Sequence, residues 1–499
     1  MTMREVLAGI PIAGASASAA FESSSDRPVE GIEYDSRRVG NNYLFFAFPG
    51  VKADGRQFAR EALERGAAAV VSDSPAPAGF AGPWIQVDHG RRSLALACRR
   101  FFAGLAERLV FTGITGTNGK TTTSYLADAV LRAGGIRTAL IGTIEYRVGG
   151  EVLPAVNTTP ESLDLYRLFR RLDQAGGTHV TMEVSSHALA LGRVHGLRFD
   201  TAVFTNLTRD HLDFHGTMEE YFAAKRALFE GQAANPPRVA VLNQDDARVK
   251  NLSVPRGVET IQFGLSEDAD LRATAVEEGF DGLRFQASWR GKRRAVTSPL
   301  MGRINVYNIL AAYGAGVAHG LDPEAILAGI ASLTAVPGRF ERIDQGQPFL
   351  VVVDYAHTPD ALRNALAAAR SLEPRRVITV FGCGGDRDRA KRPLMGEAAA
   401  AASDFVVLTS DNPRSEDPLA IINDAVVGLR RHDVKHVLEP DREAAIRLAL
   451  AESGAGDLVL IAGKGHERTQ VLRDGTIPFD DREVARRWLR ESGYAGRRR

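Results

Sequence analysis

Apolar, strand-like runs alternate with helical patterns through the middle of the chain. Each run is short enough for a buried strand, and the segments between the runs carry apolar residues at helical spacing. Such alternation is typical of a mainly parallel sheet with helices on both faces, where ligands gather at the carboxyl ends of the strands. The predicted strands of this central region are 109–114, 138–144, 178–183, 199–206 and 238–243.

The same α/β pattern continues on both sides of the central region. A linker at 336–341 precedes a last segment with four buried strands. Residues 259–300 carry shorter alternating runs, which we interpret as an antiparallel addition to the central sheet. The strands expected outside the central region are 29–34, 44–48, 68–72, 350–353, 377–381, 405–408 and 458–461.

A glycine loop follows the first central strand and runs directly into a helix. It extends from Gly113 to Thr122 and contains Gly-Lys-Thr at its end. A strand, a glycine loop and a helix in this order form a phosphate cradle, in which backbone N–H groups and the helix N-terminus face the anion. Lys120 supplies a positive charge, and the Thr121 hydroxyl can hold Mg2+. The five residues between Gly113 and Gly119 exceed the standard four, and the alternative is a structural turn.

These segments together predict an α/β protein of three domains. A chain of 499 residues has the length for about three domains of roughly 150 residues each. The central domain holds the P-loop and a mainly parallel sheet flanked by helices, and the C-terminal domain is expected to be Rossmann-like. The predicted domains are 1–106, 107–338 and 339–499.

Composition narrows the classes of partner. The chain is 44% hydrophobic and 25% charged with a net charge of +1, so no basic surplus indicates a nucleic-acid partner. The closing arginines at 497–499 are interpreted as a solvated tail. Two cysteines far apart in sequence, Cys98 and Cys383, give no disulfide framework and favour a reducing compartment.

The stretch at 7–20 imitates a signal peptide, but Pro11 interrupts its short apolar part. The sequence contains no apolar run long enough to span a membrane. We therefore expect a cytoplasmic protein without a membrane span, and we expect a monomer.

Two other central strands end in residues typical of metal ligands. The strand at 178–183 delivers Glu183, and the strand at 199–206 is followed by Asp210 and His211. A carboxylate and an imidazole at the same sheet edge as the phosphate loop suggest ligands for a metal ion. The alternative for Glu183 is a solvent-exposed residue at a strand end.

The helix from Tyr221 to Phe229 carries a lysine on its aromatic face. Tyr221, Lys225 and Phe229 fall at i, i+4 and i+8, so the lysine lies on the side expected to be buried. The pattern alone favours a lysine that extends its amine to water. The alternative is a desolvated amine of lowered pKa, which in a site with Mg2+ could add CO2 and become a carbamate, an anionic ligand.

Two asparagines, Asn305 and Asn308, share one face of a predicted helix rich in small residues. An amide on this face could read the edge of an adenine base. The alternative is a cap at the N-terminus of that helix.

Each of the four strands in the last segment ends in polar or glycine-rich sequence, which indicates a second ligand-binding edge. Arg387 and Arg414, on adjacent loops, could each hold a carboxylate with a bidentate guanidinium. The loops are Asp354 to His357, Gly382 to Arg387, Asp411 to Arg414 and Gly463 to Glu467.

Several of these motifs, in this order, resemble those of the Mur ligases of peptidoglycan synthesis. The phosphate loop has the family's Gly-Thr-Asn-Gly-Lys-Thr form, which accounts for its glycine spacing. The resemblance covers nearly the whole chain from Asp35-Ser36-Arg37, a sequence that alone indicates an Asx-turn with exposed arginines. The other matching motifs are Asn157-Thr158-Thr159-Pro160, Met182 to His187, Asp210-His211, Tyr221 with Lys225, and Gly463 to Glu467.

The resemblance implies roles for particular residues. Lys225 matches the family's carbamylated lysine, which reverses the preference for an amine extended to water. The implied catalytic residues are Lys120, Glu183, His211 and Lys225. The implied ligands of two Mg2+ ions are Thr121, Glu183, His211 and carbamylated Lys225. The implied ATP contacts are Gly116, Thr117, Asn118, Gly119, Lys120, Thr121, Thr122, Asn308, Arg339, Asp354 and His357.

The same resemblance implies two further substrates. They are UDP-N-acetylmuramoyl-L-alanyl-D-glutamate and meso-2,6-diaminopimelate. The implied contacts of the nucleotide-linked dipeptide are Ser36, Asn157, Thr158, Thr159, Ser185 and Arg193. The implied contacts of diaminopimelate are Arg387, Asp411, Asn412, Pro413, Arg414, Gly463 and Glu467.

The implied reaction forms an amide bond. The D-glutamyl carboxylate attacks the γ-phosphate of ATP to give an acyl phosphate, and the amine of the amino acid then displaces phosphate through a tetrahedral intermediate. Such chemistry depends on positioning and charge neutralisation more than on covalent catalysis. Because the two ligand edges lie on different predicted domains, we expect a domain closure that excludes water from the acyl phosphate.

The selectivity of the enzyme for its amino acid depends on one carboxylate, which meso-diaminopimelate has and L-lysine lacks. The sequence from Asp411 to Arg414 resembles the diaminopimelate form of the family motif. An unpaired buried arginine costs about 3–5 kcal/mol, so lysine is expected to be disfavoured by roughly two orders of magnitude or more.

Other classes of protein stay open as alternatives. A lysine-adding ligase or a folylpolyglutamate synthetase-like ligase would share the phosphate loop, although the second is expected to lack Asp411 to Arg414. A GTP-dependent switch is disfavoured because the chain has no Asn-Lys-x-Asp sequence. A non-catalytic scaffold is disfavoured because the four implied catalytic residues are all present.

Overall fold

The computed structural model describes residues 1–13, 25–50, 53–231 and 235–494. Residues 14–20 of the signal-like stretch and the arginines at 497–499 lie outside the described residues. The chain forms two compact units, one of Met1–Arg272 with Leu310–Gly329 and one of Ala273–Ile309 with Ile330–Arg499. The three domain boundaries drawn from the sequence stay a prediction.

Strands and helices are numbered here in chain order. The strands are β1 Gly31–Glu33, β2 Tyr43–Ala47, β3 Ala69–Ser72, β4 Trp84–Gln86, β5 Val110–Thr115, β6 Thr138–Ile141, β7 Glu145–Val148, β8 Glu151–Pro154, β9 His179–Glu183, β10 Thr201–Phe204, β11 Val239–Asn243, β12 Glu259–Gly264, β13 Leu271–Gly279, β14 Gly282–Trp289, β15 Lys292–Ser298, β16 Glu341–Ile343, β17 Leu350–Asp354, β18 Val377–Cys383, β19 Phe405–Ser410, β20 Lys435–Leu438, β21 Leu458–Ala462, β22 Thr469–Leu472 and β23 Gly475–Pro478. The helices are α1 Met3–Val6, α2 Ala59–Glu64, α3 Gly90–Phe101, α4 Lys120–Ala133, α5 Ser162–Gln174, α6 Ser186–Leu191, α7 Leu212–His215, α8 Met218–Glu230, α9 Ile304–Ala318, α10 Pro323–Ser332, α11 Pro359–Ser371, α12 Lys391–Ala402, α13 Pro418–Leu429, α14 Arg442–Ala451 and α15 Asp481–Glu491.

In the first unit the strands of the main sheet run in the order β12-β11-β10-β5-β9-β6-β7-β8. Neighbours from β12 to β6 pair in parallel, whereas β6, β7 and β8 pair antiparallel. A second sheet of this unit, β1-β2-β3-β4, is parallel throughout. Since β5 lies between β10 and β9, the loops that follow these three strands meet at one edge.

Strand β5 is anchored by aromatic packing. Phe111 is 1% exposed, and its ring lies 5.0 Å from the ring of Phe169 and 6.1 Å from that of Phe199. Burial of such a side chain contributes about 1.5–3 kcal/mol. A Cβ at Gly113 would lie 2.6 Å from Phe199 Cδ1, so this position of β5 requires glycine for close packing. Gly113 therefore belongs to the strand, and the phosphate loop proper begins after Thr115.

In the second unit a sheet has the order β16-β17-β21-β18-β19-β20. Each neighbouring pair from β17 through β21, β18 and β19 to β20 is parallel. Strand β16 lies at the edge of the sheet and pairs antiparallel with β17. Helices lie on both faces, because the buried residues of β17 and β18 alternate between two apolar clusters. The carboxyl ends of β17, β21, β18 and β19 carry the polar loops singled out in the sequence.

The predicted α/β class with a largely parallel central sheet is confirmed. The interpretation of 259–300 as an antiparallel addition is wrong for β12, which pairs in parallel with β11, where Val239 lies opposite Glu259, and with β13, where Phe263 lies opposite Leu271. It is right for β14 and β15, which form an antiparallel hairpin. The antiparallel pair β7–β8 was not predicted. Among the described residues, none of the helices has the length and apolar character needed to cross a membrane.

Candidate active site

The phosphate loop lies between the end of β5 at Thr115 and the start of α4 at Lys120. Gly116 has φ +144°, and a Cβ there would lie 1.9 Å from Thr205 Oγ1, so only glycine fits. The loop is fixed to the end of β10, because the amide N–H groups of Thr117 and Asn118 donate to the backbone and side-chain oxygens of Asn206, each at 2.9 Å. The backbone shape of the cradle is therefore set by the protein itself.

Lys120 begins α4 and turns back over the loop. Its Nζ donates to the carbonyl oxygens of Gly116 at 2.9 Å and Thr117 at 2.8 Å. The next residue, Thr121, is 6% exposed. The loop thus holds a cation and a hydroxyl at the helix N-terminus, where an anion is favoured.

Glu183 ends β9 with a fully buried side chain, so the interpretation as an exposed strand-end residue is wrong. Its Oε2 accepts from Thr121 Oγ1 at 3.1 Å and from Thr143 Oγ1 at 3.0 Å, and its Oε1 accepts from the Thr143 amide at 2.8 Å. Sequence reasoning missed Thr143, although its position just after β6 was a usable signal. A Cβ at Gly142 would lie 2.4 Å from Glu183 Oε1, so glycine makes room for this carboxylate.

The pair of Thr121 and Glu183 fits Mg2+. Mg2+ prefers oxygen ligands and is commonly held by one or two protein carboxylates together with substrate phosphates. Within the described ranges, no group of three or more His, Cys, Asp or Glu side chains is arranged to hold a metal ion. A hydroxyl and a carboxylate beside a phosphate cradle supply the few oxygen ligands that Mg2+ commonly takes from a protein.

Lys225 lies on α8 and is 1% exposed, so the amine does not extend to water. Its Nζ donates to the Gly116 carbonyl oxygen at 2.8 Å and lies 4.6 Å from the centre of the Tyr221 ring. Burial, and then the charge of Lys120, lowers the pKa of Lys225 well below its ordinary value. A desolvated amine at the phosphate loop is thus present, as the alternative interpretation required.

His211 follows β10 in the left-handed region, with φ +53°, which is uncommon for residues other than glycine. Its ring lies 4.8 Å from that of His187 and 6.1 Å from that of Tyr221. Partial burial lowers the pKa of His211, and the charges of Lys120 and Lys225 act in the same direction. His211 is therefore close enough to both lysines to feel their charge, although its nearest ring partner is His187.

Several residues assigned to the nucleotide-linked dipeptide form one cluster beside Glu183. Thr159 Oγ1 donates to the Glu183 carbonyl at 2.9 Å and accepts from the Ser185 amide at 3.0 Å. The hydroxyl of Thr158 lies 3.1 Å from that of Thr143. Arg193 donates to the Thr159 carbonyl at 3.0 Å.

Asn157 and Ser36 have other partners. The Asn157 amide and carbonyl bond to the Tyr146 hydroxyl at 3.0 and 2.6 Å. Ser36 donates to Glu61 at 3.2 Å. The Asp35 carboxylate accepts from the Arg37 amide at 3.1 Å, which confirms the predicted Asx-turn.

In the second unit, three of the predicted ATP contacts gather near the end of β17. Arg339 lies with its guanidinium carbon 4.6 Å from the centre of the Tyr355 ring, and the His357 ring lies 4.5 Å from the same ring. Asp354 accepts from the amides of Phe340 and Ala356 at 2.7 and 2.8 Å, and burial raises its pKa. Asp354 therefore ties the segment carrying Arg339 to the end of β17.

Asn308 is buried and donates to Asn305 Oδ1 at 2.8 Å, and Asn305 donates to the Met301 carbonyl at 2.7 Å. The asparagine pair thus bonds within its own segment at the start of α9. Asn305 is the second residue of α9, and its side-chain oxygen accepts from the Asn308 side chain, so neither bond is the N-terminal cap named as the alternative.

The two predicted carboxylate-binding arginines flank Gly384. A Cβ at Gly384 would lie 3.1 Å from an Arg414 guanidinium nitrogen and 3.7 Å from Arg387 Cγ. Arg414 has φ +53° and donates to the Gly385 carbonyl at 2.6 Å. Arg387 is exposed and forms no hydrogen bond or ion pair with residues that the structure describes. The structure therefore brings the two side chains together. Arg414 is held by its hydrogen bond to Gly385, whereas Arg387 forms no such contact with the described residues.

The remaining residues assigned to the amino acid lie beside these arginines in sequence and fold. Asn412 donates to Glu467 Oε2 at 2.9 Å, which joins the loops after β19 and β21. Gly463 has φ +117°, and a Cβ there would lie 3.2 Å from Asp411 Oδ2. Burial raises the pKa of Asp411, whose Oδ1 has no hydrogen-bond partner in the described chain. Pro413 holds the loop against Gly385, where a Cβ would lie 1.9 Å from the Pro413 oxygen.

Comparison with known proteins covers most of the chain. Residues 28–102 match the family described as Mur ligase family, catalytic domain, residues 114–316 the Mur ligase middle domain, and residues 338–465 the Mur ligase glutamate ligase domain.

Individual proteins agree with these matches. UDP-N-acetylmuramoyl-L-alanyl-D-glutamate–2,6-diaminopimelate ligase of Solibacter usitatus is 67% identical over 93% of this chain and 94% of its own length. The ligase of the same name from Geobacillus kaustophilus is 47% identical over 93% of this chain and 95% of its own. A solved structure of a ligase with that name is 34% identical, with a TM-score of 0.71 and 99% coverage of both chains. The chain belongs to the Mur ligase family.

Proposed function

We propose that the protein is an ATP-dependent amide ligase of peptidoglycan synthesis. It joins meso-2,6-diaminopimelate to the D-glutamate of UDP-N-acetylmuramoyl-L-alanyl-D-glutamate. The observation that carries the proposal is the phosphate loop, in which Thr121 lies 3.1 Å from Glu183. Relatives of 67% and 47% identity that are named for this activity support it.

ATP binds with its phosphates in the loop from Gly116 to Thr122. Backbone N–H groups at the N-terminus of α4 face the phosphates, since those of Thr117 and Asn118 already bond to Asn206. Lys120 exchanges its loop carbonyl contacts for the phosphates. Thr121 and Glu183 would hold Mg2+, which would neutralise charge on the phosphates. Arg339, Asp354, His357 and Asn308 are proposed as further nucleotide contacts.

The reaction proceeds in two steps, phosphoryl transfer and then amide formation. A D-glutamyl carboxylate oxygen forms a bond to the γ-phosphorus of ATP while the bond to the ADP oxygen breaks. The amino nitrogen of diaminopimelate then attacks the acyl carbon, loses a proton, and inorganic phosphate leaves with the former carboxylate oxygen. The positive charge of Lys120 and the loop amides stabilise the charge that develops on the transferring group.

Lys225 is proposed to carry a carbamate. A neutral Nζ adds CO2, an N–C bond forms and a proton is lost, which leaves an anionic oxygen ligand. The lowered pKa of Lys225 favours the neutral amine that this addition needs. Thr121, Glu183, His211 and the carbamate together are the proposed ligand set for two Mg2+ ions.

The cluster of Thr158, Thr159, Ser185 and Arg193 beside Glu183 is proposed to hold the muramoyl dipeptide together with Asn157. This places the D-glutamyl carboxylate near the phosphate loop. The N-terminal domain is proposed to hold the UDP moiety, with Ser36 among its contacts. We propose a cytoplasmic monomer with the three domains drawn from the sequence. The two cysteines are free and buried, in keeping with a reducing compartment.

Arg387 and Arg414 favour diaminopimelate over lysine, because both flank one glycine and can face the extra carboxylate. Asp411, Asn412, Pro413, Gly463 and Glu467 complete the proposed site. Because Arg387 is exposed and Arg414 already bonds to Gly385, the cost of leaving them unpaired is smaller than that of a buried guanidinium. A charged hydrogen bond contributes about 1.5–3 kcal/mol, so roughly one to two orders of magnitude of discrimination are expected.

The test is ADP release from ATP with the UDP-muramoyl dipeptide and either amino acid. Release that depends on diaminopimelate and on the nucleotide supports the proposal. Equal release with lysine would indicate a lysine-adding ligase, and release with neither would indicate a scaffold.

A further inference from the structure

Lys464 is a fully buried lysine in the loop that follows β21. Its Nζ donates to Asn412 Oδ1 at 3.1 Å and to Glu467 Oε2 at 2.9 Å, and it lies 3.8 Å from Asp411 Oδ1. Sequence reasoning quoted Lys464 only as part of a motif and gave it no role. Lys464 therefore contacts three polar side chains that are all assigned to the proposed amino-acid site.

The lysine fixes the orientation of the Asn412 amide. An ammonium group can only donate, and the Val471 amide also donates to Asn412 Oδ1, at 2.9 Å. With two donors on its oxygen, Asn412 must turn its NH2 group the other way, toward Glu467 Oε2 at 2.9 Å. The amide therefore has one orientation that satisfies its neighbours.

The same arrangement fixes the Glu467 carboxylate. Glu467 Oε2 accepts hydrogen bonds from both Lys464 and Asn412. Glu467 Oε1 accepts no hydrogen bond from the part of the chain that the structure describes. Burial raises the pKa of Glu467, but the charge of Lys464 and the two hydrogen bonds outweigh it and lower the pKa below its ordinary value. Glu467 is thus an ionised carboxylate with one oxygen committed and one oxygen available.

An available carboxylate oxygen suits the ammonium group of an amino acid. We infer that Lys464, itself fully buried, is a positioning residue for the amino-acid substrate, because it holds Glu467 and Asn412 in their binding orientation. This inference rests on the proposed function, which assigns Glu467 and Asn412 to that substrate. The alternative is that Lys464 only neutralises buried acid and supports folding.

The two accounts differ in which kinetic constant changes. Lys464→Met should raise KM for diaminopimelate by about 10–100-fold, by analogy with the loss seen when groups that orient metal ligands are removed. KM for ATP and for the UDP-muramoyl dipeptide should stay within about twofold, because the phosphate loop is unaltered. The control is Lys435→Met, an exposed lysine at the start of β20, at the opposite end of that strand from the loops of the site.

A double-mutant cycle separates positioning from general support. If Lys464 acts through Glu467, then Lys464→Met should raise KM for diaminopimelate much less in a Glu467→Gln background than in the wild type. Equal fold-changes in both backgrounds would overturn the inference. So would an unchanged KM for diaminopimelate in a folded Lys464→Met protein, or equal rises in KM for all three substrates.

Thermal melting is measured for every variant. If Lys464→Met melts below the assay temperature, Lys464→Gln takes its place, because its amide still donates to one of the two acceptors. Its KM for diaminopimelate should lie between those of the wild type and Glu467→Gln, and an unchanged value would overturn the inference. Failure of the proposed function is distinct, because the wild type would then release no ADP in response to diaminopimelate.

Discussion

The Lys225 side-chain nitrogen lies 2.8 Å from the Gly116 carbonyl oxygen, with the lysine 1% exposed. This contact joins α8 to the phosphate loop and places a desolvated amine where the γ-phosphate of ATP is proposed to bind. Lys120 reaches the same carbonyl oxygen at 2.9 Å. Two ammonium groups on one acceptor would repel each other, which favours the neutral form of Lys225 that addition of CO2 needs.

Replacement of Lys225 tests the proposed carbamate. Lys225→Ala should lower kcat by about 10²–10³-fold, the scale for loss of one charged group that acts on a developing charge. Added formate or acetate should restore part of the activity, because a small carboxylate can occupy the place of the carbamate. ADP release measured against carboxylate concentration gives the answer.

The matched control is Arg226→Ala, which removes the neighbouring cation from the exposed face of the same helix, where it pairs with Glu230. Arg226→Ala should keep its activity and show no response to carboxylates. A Lys225→Ala protein with nearly full activity would remove the proposed role.

Thr143 is expected to orient Glu183, since it donates to both carboxylate oxygens. Thr143→Val keeps the backbone hydrogen bond but loses the hydroxyl, so kcat should fall by about 10-fold or more. The concentration of Mg2+ needed for half-maximal activity should rise. Thr297→Val, at an exposed position of β15, is the control and should change neither quantity. An unaltered Mg2+ dependence in Thr143→Val would contradict this role.

The positions of the strands and of the loops that follow them were largely predictable, whereas the order of the strands in the sheet and the side-chain environments were not. Runs such as 377–381 and 405–408 are apolar enough to mark buried strands, and the motifs follow directly after them. The direction of β12 was missed because parallel and antiparallel neighbours place the same apolar pattern on a strand. The helical pattern alone did not decide whether Lys225 is buried, because a lysine at this spacing can lie either at the edge of the packed face or within it.

Orientations within the sites depend on contacts far apart in sequence. Thr143 and Glu183 are 40 residues apart, and Asn412 and Glu467 are 55 residues apart. No local pattern couples such positions. The resemblance to a family supplied the names of most site residues, but the hydrogen bonds that fix their geometry required the fold.

Arg414→Ala should selectively weaken the binding of diaminopimelate. Loss of a charged hydrogen bond of about 1.5–3 kcal/mol predicts a rise of roughly 10–100-fold in KM for diaminopimelate. KM for ATP should stay within about twofold. Steady-state kinetics with each substrate varied in turn measures both.

Arg363→Ala is the control, since Arg363 is an exposed residue of α11 that pairs with Asp360. It should leave every kinetic constant near the wild-type value. If Arg414→Ala keeps the wild-type KM and rate for diaminopimelate, the assignment of this arginine is wrong.

The buried Arg392 predicts a pH-dependent contribution to stability. Its guanidinium donates to both oxygens of Glu416, at 2.7 and 2.9 Å, and lowers the pKa of Glu416 from 4.5 to about 2. A carboxyl whose pKa is lowered in the folded state stabilises the protein above its unfolded pKa, and this stabilisation is lost as the pH falls through the folded value.

Glu416→Gln should therefore lower the melting temperature at pH 7. The difference from the wild type should shrink as the pH falls from 4.5 toward 2. Glu452→Gln, at an exposed glutamate after α14, is the matched control and should show little difference at any pH. A Glu416→Gln difference that stays constant across this pH range would contradict the linkage.

The central claim is that the D-glutamyl carboxylate is activated by phosphoryl transfer before the amide bond forms. The direct test uses a UDP-muramoyl dipeptide labelled with 18O in both oxygens of that carboxylate, with ATP and diaminopimelate in unlabelled water. The account predicts that each inorganic phosphate released carries one 18O atom, detected by mass spectrometry, because the acyl–oxygen bond breaks when the amine attacks. Phosphate without the label, at equal yield of the amide product, would contradict it.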